Sequence, residues 1–254
     1  MRGFDLRPVD LRPTWLVFKR EFAAYFATPV AAVFLIVFLA LAAGLTFFMT
    51  GFFDRGQADL SGFFFWHPWL FLVLMPAIAM RLWAEERRSG TIEILMTLPV
   101  SPWQIVLGKW LAAWAFAALA LVLTTPIWIT VNILGSPDNG VIFTSYIGSW
   151  LMAGAFLALA AAISALTKSQ VLAFIGATAV SFLFVMAGFD LVIAAVRSWA
   201  PPVIVDAVRS MSFLGQFQRI AEGVLELPSI IFFVSLIVFC LWLNVLAIDV
   251  KKAA

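Results

Sequence analysis

The chain has 254 residues, 64% of them apolar and 12% charged, where an ordinary soluble domain has roughly 45–50% and about 25%. With 26 Phe, 11 Trp and a mean hydropathy of +1.05, this excludes a soluble globular protein, because so much apolar area does not fit inside one core of this size. A single Cys at 240 and a single His at 67 exclude an intrachain disulfide and speak against metal or redox chemistry, and the net charge of +2 conceals an uneven distribution.

Between residues 14 and 27 the apolar residues Trp15, Phe18, Phe22, Tyr25 and Phe26 recur at helical spacing around Lys19, Arg20 and Glu21. That pattern predicts an amphipathic helix lying in the membrane interface. Thr28-Pro29 ends it, and a first span follows at 30–49. This run has full span length and no small-residue cleavage site behind it, so it reads as an anchor rather than a removable signal peptide. Further spans are predicted at 63–82, 105–131, 146–166, 171–196 and 230–248, each close to the ~20 apolar residues that cross ~30 Å of hydrocarbon. His67, beside Trp66 and Trp69, is expected in the outer aromatic belt. Pro76 and Pro126 fall inside spans and are expected to kink them. The small residues at 153–155 and 158–162 favour packing within the chain over a dimer seam. Asp190 reads as a boundary residue at the outer end of the fifth span rather than a proton relay. The segment 201–228 is too charged to span, yet Phe213, Phe217, Ile220 and Val224 repeat at helical spacing, which predicts two short helices at the outer interface.

Six spans place both termini on one side. Twelve of the 16 Lys and Arg residues share that side, while the acids divide seven and seven. The positive-inside bias therefore makes it the cytoplasmic side. No hydrophilic run is long enough for a second domain. Residues 1–254 read as one transmembrane domain, with a cytoplasmic amphipathic segment at 1–29, a cytoplasmic loop at 83–104 and an outer segment at 197–229.

The loop after the second span is the most informative segment, EERRSGTIEILMTLPVSPWQIVLGK at 85–109. Glu85, Glu86, Arg87 and Arg88 carry the second span into water, and Ser89-Gly90 breaks it. A short helix is predicted over 91–98: Thr91 caps it, Glu93 suits its N-terminal end, and Ile92, Leu95 and Met96 share one face. Leu98-Pro99 ends this helix. Ser101-Pro102-Trp103-Gln104 then restarts one with a Ser/Gln capping box and Pro at the first helical position. The pattern alone also fits an interfacial hairpin that merely anchors two spans.

The run 75–109, including MRLWAEERRSGTIEILMTLPVSPWQIVLGK, resembles the signature region of ABC-2 type transporter permeases, in particular the branch with gliding-motility and nitrous-oxide-reductase-maturation permeases. The likeness extends to SFLGQFQRIAEGVLELPSIIFFVSLIVFCLWLNVLA at 212–247 and to the order of amphipathic helix and six spans. It implies an all-α, six-span ABC-2 (type V exporter-like) permease fold whose loop carries a coupling helix that docks on a separate ATPase. Glu85, Glu86, Arg87, Arg88, Gly90, Thr91, Ile92, Glu93, Leu95 and Met96 would then be the coupling residues. The outer helices would cap the pathway, with Phe213, Phe217, Ile220 and Val224 as gate residues. The resemblance further implies a homodimer or a pair with a similar chain, joined along the first and fifth spans, in the cytoplasmic (inner) membrane of a bacterium. Two ABC ATPase copies would drive it, with room for an accessory extracytoplasmic protein.

A P-loop, G-x-x-x-x-G-K-[ST], cradles phosphate with its backbone N–H groups. Here Gly108-Lys109 is followed by Trp110, and position 103 is Trp. ATP and Mg²⁺ are therefore expected in the partner ATPase, with no cofactor, metal or catalytic residue in this chain and no nucleic acid among its partners. An ATP-independent secondary transporter or a membrane scaffold subunit is the alternative. Such carriers place ionisable or broken-helix sites near the midplane in repeated halves, whereas these span interiors carry almost no charge and no clear repeat. An intramembrane enzyme would need H-E-x-x-H, G-x-S-x-G or paired buried carboxylates, and these motifs are missing.

Overall fold

Apolar runs of this length become helices because hydrocarbon offers the backbone no other hydrogen-bond partners. The computed structural model describes residues 11–54, 56–92, 99–224 and 226–250. The amphipathic segment forms α1, Arg12–Phe26. Thr28 is extended and Pro29 opens α2, Pro29–Gly44, which continues as a π-helical turn over Leu45–Met49. Next come α3 (Ser61–Phe65), α4 (His67–Ala79) and α5 (Arg81–Ser89). Beyond the loop lie α6 (Pro102–Val122), α7 (Thr125–Leu134), α8 (Asn139–Ser164) and α9 (Gln170–Met186). The chain finishes with α10 (Asp190–Arg197), α11 (Pro202–Ser210), α12 (Phe213–Ala221) and α13 (Leu227–Val250).

Among the described residues, five stretches are long and apolar enough to cross a membrane: Pro29–Met49, His67–Ser89, Pro102–Leu134, Asn139–Ser164 and Leu227–Val250. The sixth is α9 with α10, bent by 77°. The fifth span is thus not the straight helix expected over 171–196. Gly188 explains the elbow, since a Cβ there would lie 2.0 Å from Ser212 Oγ. The bare backbone lets the start of α12 press into the turn. Asp190 stands exposed in the first turn of α10, where a helix N-terminus favours an acid.

The bundle is built around α8, the most buried of the spans. Its small residues permit this, as Ala153, Gly154, Ala155, Ala158, Ala160 and Ala161 are buried within the chain. A Cβ on Gly154 would approach Trp114 Nε1 to 2.7 Å. Trp110 and Trp114 of α6 instead lie flat against α8. The Trp110 indole donates to Gly154 O at 3.0 Å, and Trp114 stacks on Trp150 with ring centres 4.0 Å apart.

Ser164, at the other end of α8, bridges the break at Met80 between α4 and α5. Its hydroxyl donates to Met80 O at 2.9 Å and accepts from the N–H groups of Trp83 and Ala84 at 3.3 and 3.2 Å. A side chain inserted into the helical ladder in this way satisfies the backbone groups freed at the break. Pro76, expected to kink the span, lies within α4, one turn before the break at Met80. The Pro126 break falls at Leu123 and Thr124, where Thr124 Oγ1 donates to Leu121 O at 2.6 Å.

His67 is not in an aromatic belt. It is fully buried, with Phe63, Phe64 and Phe71 within 5.4 Å of its ring centre. Its Nδ1 lies 2.7 Å from Ser149 Oγ, and that hydroxyl spends its own proton on Ser145 O at 2.8 Å. The imidazole is therefore the donor. A buried imidazole N–H needs such an acceptor, and this requirement outweighs the neighbouring tryptophans in placing His67.

Candidate functional site

The loop begins as its residues suggest. Gly90 ends α5 in the left-handed region, φ 74°, which is strained for any residue with a side chain. Ser89 Oγ donates back to Glu85 O at 2.9 Å and lies 2.9 Å from Thr91 Oγ1. Ile92 is half-buried and packs against the core. Glu93, Leu95 and Met96 lie outside the described residues. After them, Ser101 and Gln104 form the expected capping box with Pro102 inside it, through Ser101 N–H to Gln104 Oε1 at 2.9 Å and Gln104 N–H to Ser101 Oγ at 3.3 Å.

Four charges close a ring beside this loop. Lys109, seven residues into α6, is 2% exposed, with its Nζ 2.7 Å from Glu86 Oε1 and 3.1 Å from Glu21 Oε1. Arg20 Nη2 bonds Glu21 Oε1 at 2.6 Å and approaches Glu86 Oε1 to 3.5 Å. The Trp83 ring centre lies 5.3 Å from the ammonium. The ring joins α1, α5 and α6, so both ends of the loop and the amphipathic helix are tied at one point. Gly108 makes the approach possible, because a Cβ there would meet Thr14 O at 2.8 Å. Burial pushes the Glu21 carboxyl up, but Lys109 and Arg20 outweigh it and hold the group below its ordinary value.

The other coupling candidates divide by exposure. Glu85 is exposed and pairs with Arg81 one turn away at 3.0 Å. Arg88 is exposed. Arg87 is half-buried, and its Nε and Nη2 have no hydrogen-bond partner among the described residues. Sequence reasoning singled out Glu86 but not Glu21 or Lys109. The available signal was a lysine inside an apolar run, where a charge is costly unless paired.

At the far end of the bundle, α12 buries Phe213, Phe217 and Ile220. They face protein rather than a lipid interface. Phe213 packs on Phe156 of α8 at 4.6 Å and on Phe184 of α9 at 5.1 Å. Gly148 admits Ile220, whose Cγ2 would be 2.8 Å from a Cβ there. Val224 leaves the set, because α12 stops at Ala221 and Val224 is exposed beyond it. Phe217 also walls a cavity of about 510 Å³ with Phe64, Asp138 and Glu222. Among the described residues no three His, Cys, Asp or Glu side chains converge as a metal site.

A family model described as ABC-2 family transporter protein matches residues 56–246. The chain belongs to the ABC-2 transporter family. It is a multi-pass membrane protein and a permease subunit of an ABC transporter, a family of generally non-catalytic membrane subunits. Membership implies an ABC ATPase partner and a lipid surround. The match takes in Glu86 and Lys109 together with α12, while α1 precedes it. A search of curated proteins finds no match.

Proposed function

We propose that this ABC-2 transporter chain is one half of the pathway of an ATP-driven exporter, coupled to its ATPases through residues 85–104. The observation that carries the reading is the buried Lys109, held by Glu86 and Glu21. An ion pair buried this deeply is costly to break. A push on the loop is therefore passed to α1, α5 and α6 as one body rather than absorbed by bending. ATP and Mg²⁺ belong to the ATPase subunits, two of which serve two permease chains, either identical or similar. Exposed apolar rows on α2, including Val33 and Ile36, and on α9, including Ile175 and Phe182, are available for that pairing.

In this reading the chain is a single transmembrane domain of a bacterial cytoplasmic membrane, with both termini cytoplasmic. It falls in the gliding-motility and nitrous-oxide-reductase-maturation branch, with an accessory extracytoplasmic protein as a further partner. The helices α10 to α12 lie on the outer side, and Phe213, Phe217 and Ile220 limit access there. The test is a distance measurement in the reconstituted complex with its ATPase. Spin labels at Gln218→Cys and Ile133→Cys in a Cys240→Ser background should change separation on ATP binding. Glu86→Gln should abolish that change while the ATPase stays bound. An unchanged response in Glu86→Gln would overturn the coupling route.

A further inference from the structure

A groove of about 500 Å³ runs between α1, α6 and α8, walled by Trp15, Phe18, Leu111, Trp114 and Trp150. The Trp114 indole donates to Trp150 O at 2.8 Å and the Trp150 indole to Trp114 O at 3.4 Å. With both N–H groups spent on backbone, these walls offer ring faces alone, and an occupant must be apolar along most of its length. One polar exception lies at the α1 end. Thr14 is 5% exposed, lines the groove, and its hydroxyl has no hydrogen-bond partner among the described residues. A buried hydroxyl is ordinarily satisfied, and this one, itself shielded at the groove wall, meets a ligand oxygen only on turning about χ1.

A charge beside one wall narrows the choice of occupant. Lys19, one turn beyond Trp15, holds its ammonium 5.3 Å from the centre of the Trp15 ring. A cation fixed beside an apolar slot is complementary to an amphiphile with an acidic head. Leu107, Leu111 and Ala115 line the slot within the first half of the 33-residue stretch Pro102–Leu134. The slot therefore opens into one leaflet, at the end of the bundle where α1 lies. Trp150 also walls a second apolar groove of about 370 Å³ that reaches Trp128 and Tyr146. A long chain entering beside Thr14 has room to continue along α8.

We propose that this groove binds one anionic membrane phospholipid, with an acyl chain along Trp114 and Trp150, an ester or phosphate oxygen on the Thr14 hydroxyl, and the acidic headgroup at Lys19. The site is distinct from the coupling ring and from the α12 end of the bundle. The full chain, delipidated in mild detergent, is offered phosphatidylglycerol or phosphatidylcholine with identical acyl chains and examined by native mass spectrometry. One phosphatidylglycerol should be retained per chain, about five-fold over phosphatidylcholine, as one Lys near an anionic headgroup provides. Lys19→Ala should remove the preference, and Ala115→Trp, which fills the slot, should remove both adducts. Phosphatidylglycerol bearing a photoreactive acyl chain should label wild-type peptides containing Trp114 or Trp150, a readout independent of how the variants fold. Equal retention of the two lipids by wild type, unchanged adducts in Ala115→Trp, or labels confined to α2 and α13 would each overturn the assignment.

Discussion

Lys109 on α6 donates to Glu86 on α5 across 2.7 Å, with 2% of the lysine side chain exposed. The two helices flank the loop that resembles a coupling segment, so this contact sets the relative position of the loop's two ends. Glu21 adds α1 to the same point.

Removing Lys109 should therefore be expensive. Lys109→Met leaves Glu21 and Glu86 mostly buried with only Arg20 between them. Breaking a buried pair in this way costs roughly 3–5 kcal/mol. Glu85→Gln, at an exposed pair, should change stability by less than about 1 kcal/mol. Adding Glu86→Gln to Lys109→Met should recover part of the loss. Thermal unfolding in detergent checks the order, and equal effects of Lys109→Met and Glu85→Gln would contradict it.

The same ring predicts an acid limb. Glu21 has a carboxyl pKa lowered from 4.5, with burial opposing and Lys109 and Arg20 prevailing. Its contribution is fully present above 4.5 and is lost as pH falls through the lower folded value. Wild type should exceed Glu21→Gln in melting temperature by a constant margin at neutral pH. The margin should shrink below pH 4.5. A margin that grew in acid would show that the sign is wrong.

Much of this was legible in sequence. Apolar length located the spans, Thr28-Pro29 separated α1 from α2, and the Ser101/Gln104 box marked the start of α6. What failed was information about what each face meets. The run through Val171 stays apolar past Gly188, so hydropathy registers no bend. Periodicity in 213–220 declares one buried face without naming protein or lipid as its cover. His67 carries aromatic neighbours that suit an interface, whereas Ser149 on a distant helix determines its place. Lys109 is conspicuous in an apolar run, but its partners Glu21 and Glu86 lie far away along the chain.

The elbow between α9 and α10 depends on one missing side chain. Gly188→Ala would set a Cβ 2.0 Å from Ser212 Oγ, whereas Gly176→Ala meets only Ile163 Cγ2 at 3.3 Å. The first should be destabilising and should loosen α12. The second should be near neutral, since Ala is favoured over Gly in a helix by about 1 kcal/mol. Protease or thiol accessibility of a cysteine placed at Gln218 reports the difference, and similar behaviour of the two variants would refute the explanation.

Truncating the buried face of α12 tests its proposed role as an access barrier. Phe217→Ala with Ile220→Ala removes side chains whose loss costs about 2–5 kcal/mol each in a packed core. Because the two losses together approach the net stability of a domain, the milder Phe217→Leu with Ile220→Val is measured beside the pair, and it should raise leak or uncoupled ATP hydrolysis without preventing assembly. Unchanged leak, basal hydrolysis and accessibility would make α12 a passive part of the bundle.

In the proposed mechanism ATP energy enters through the loop between α5 and α6. A photo-crosslinking residue at Thr91, in the intact complex, tests it most directly, with the same residue at Gln218 as the opposite-end control. The Thr91 position should attach to an ABC ATPase, the Gln218 position should give no such product, and ATP hydrolysis should reside in the attached subunit. ATPase capture from Gln218 but not from Thr91, or hydrolysis by the purified chain alone, would contradict it.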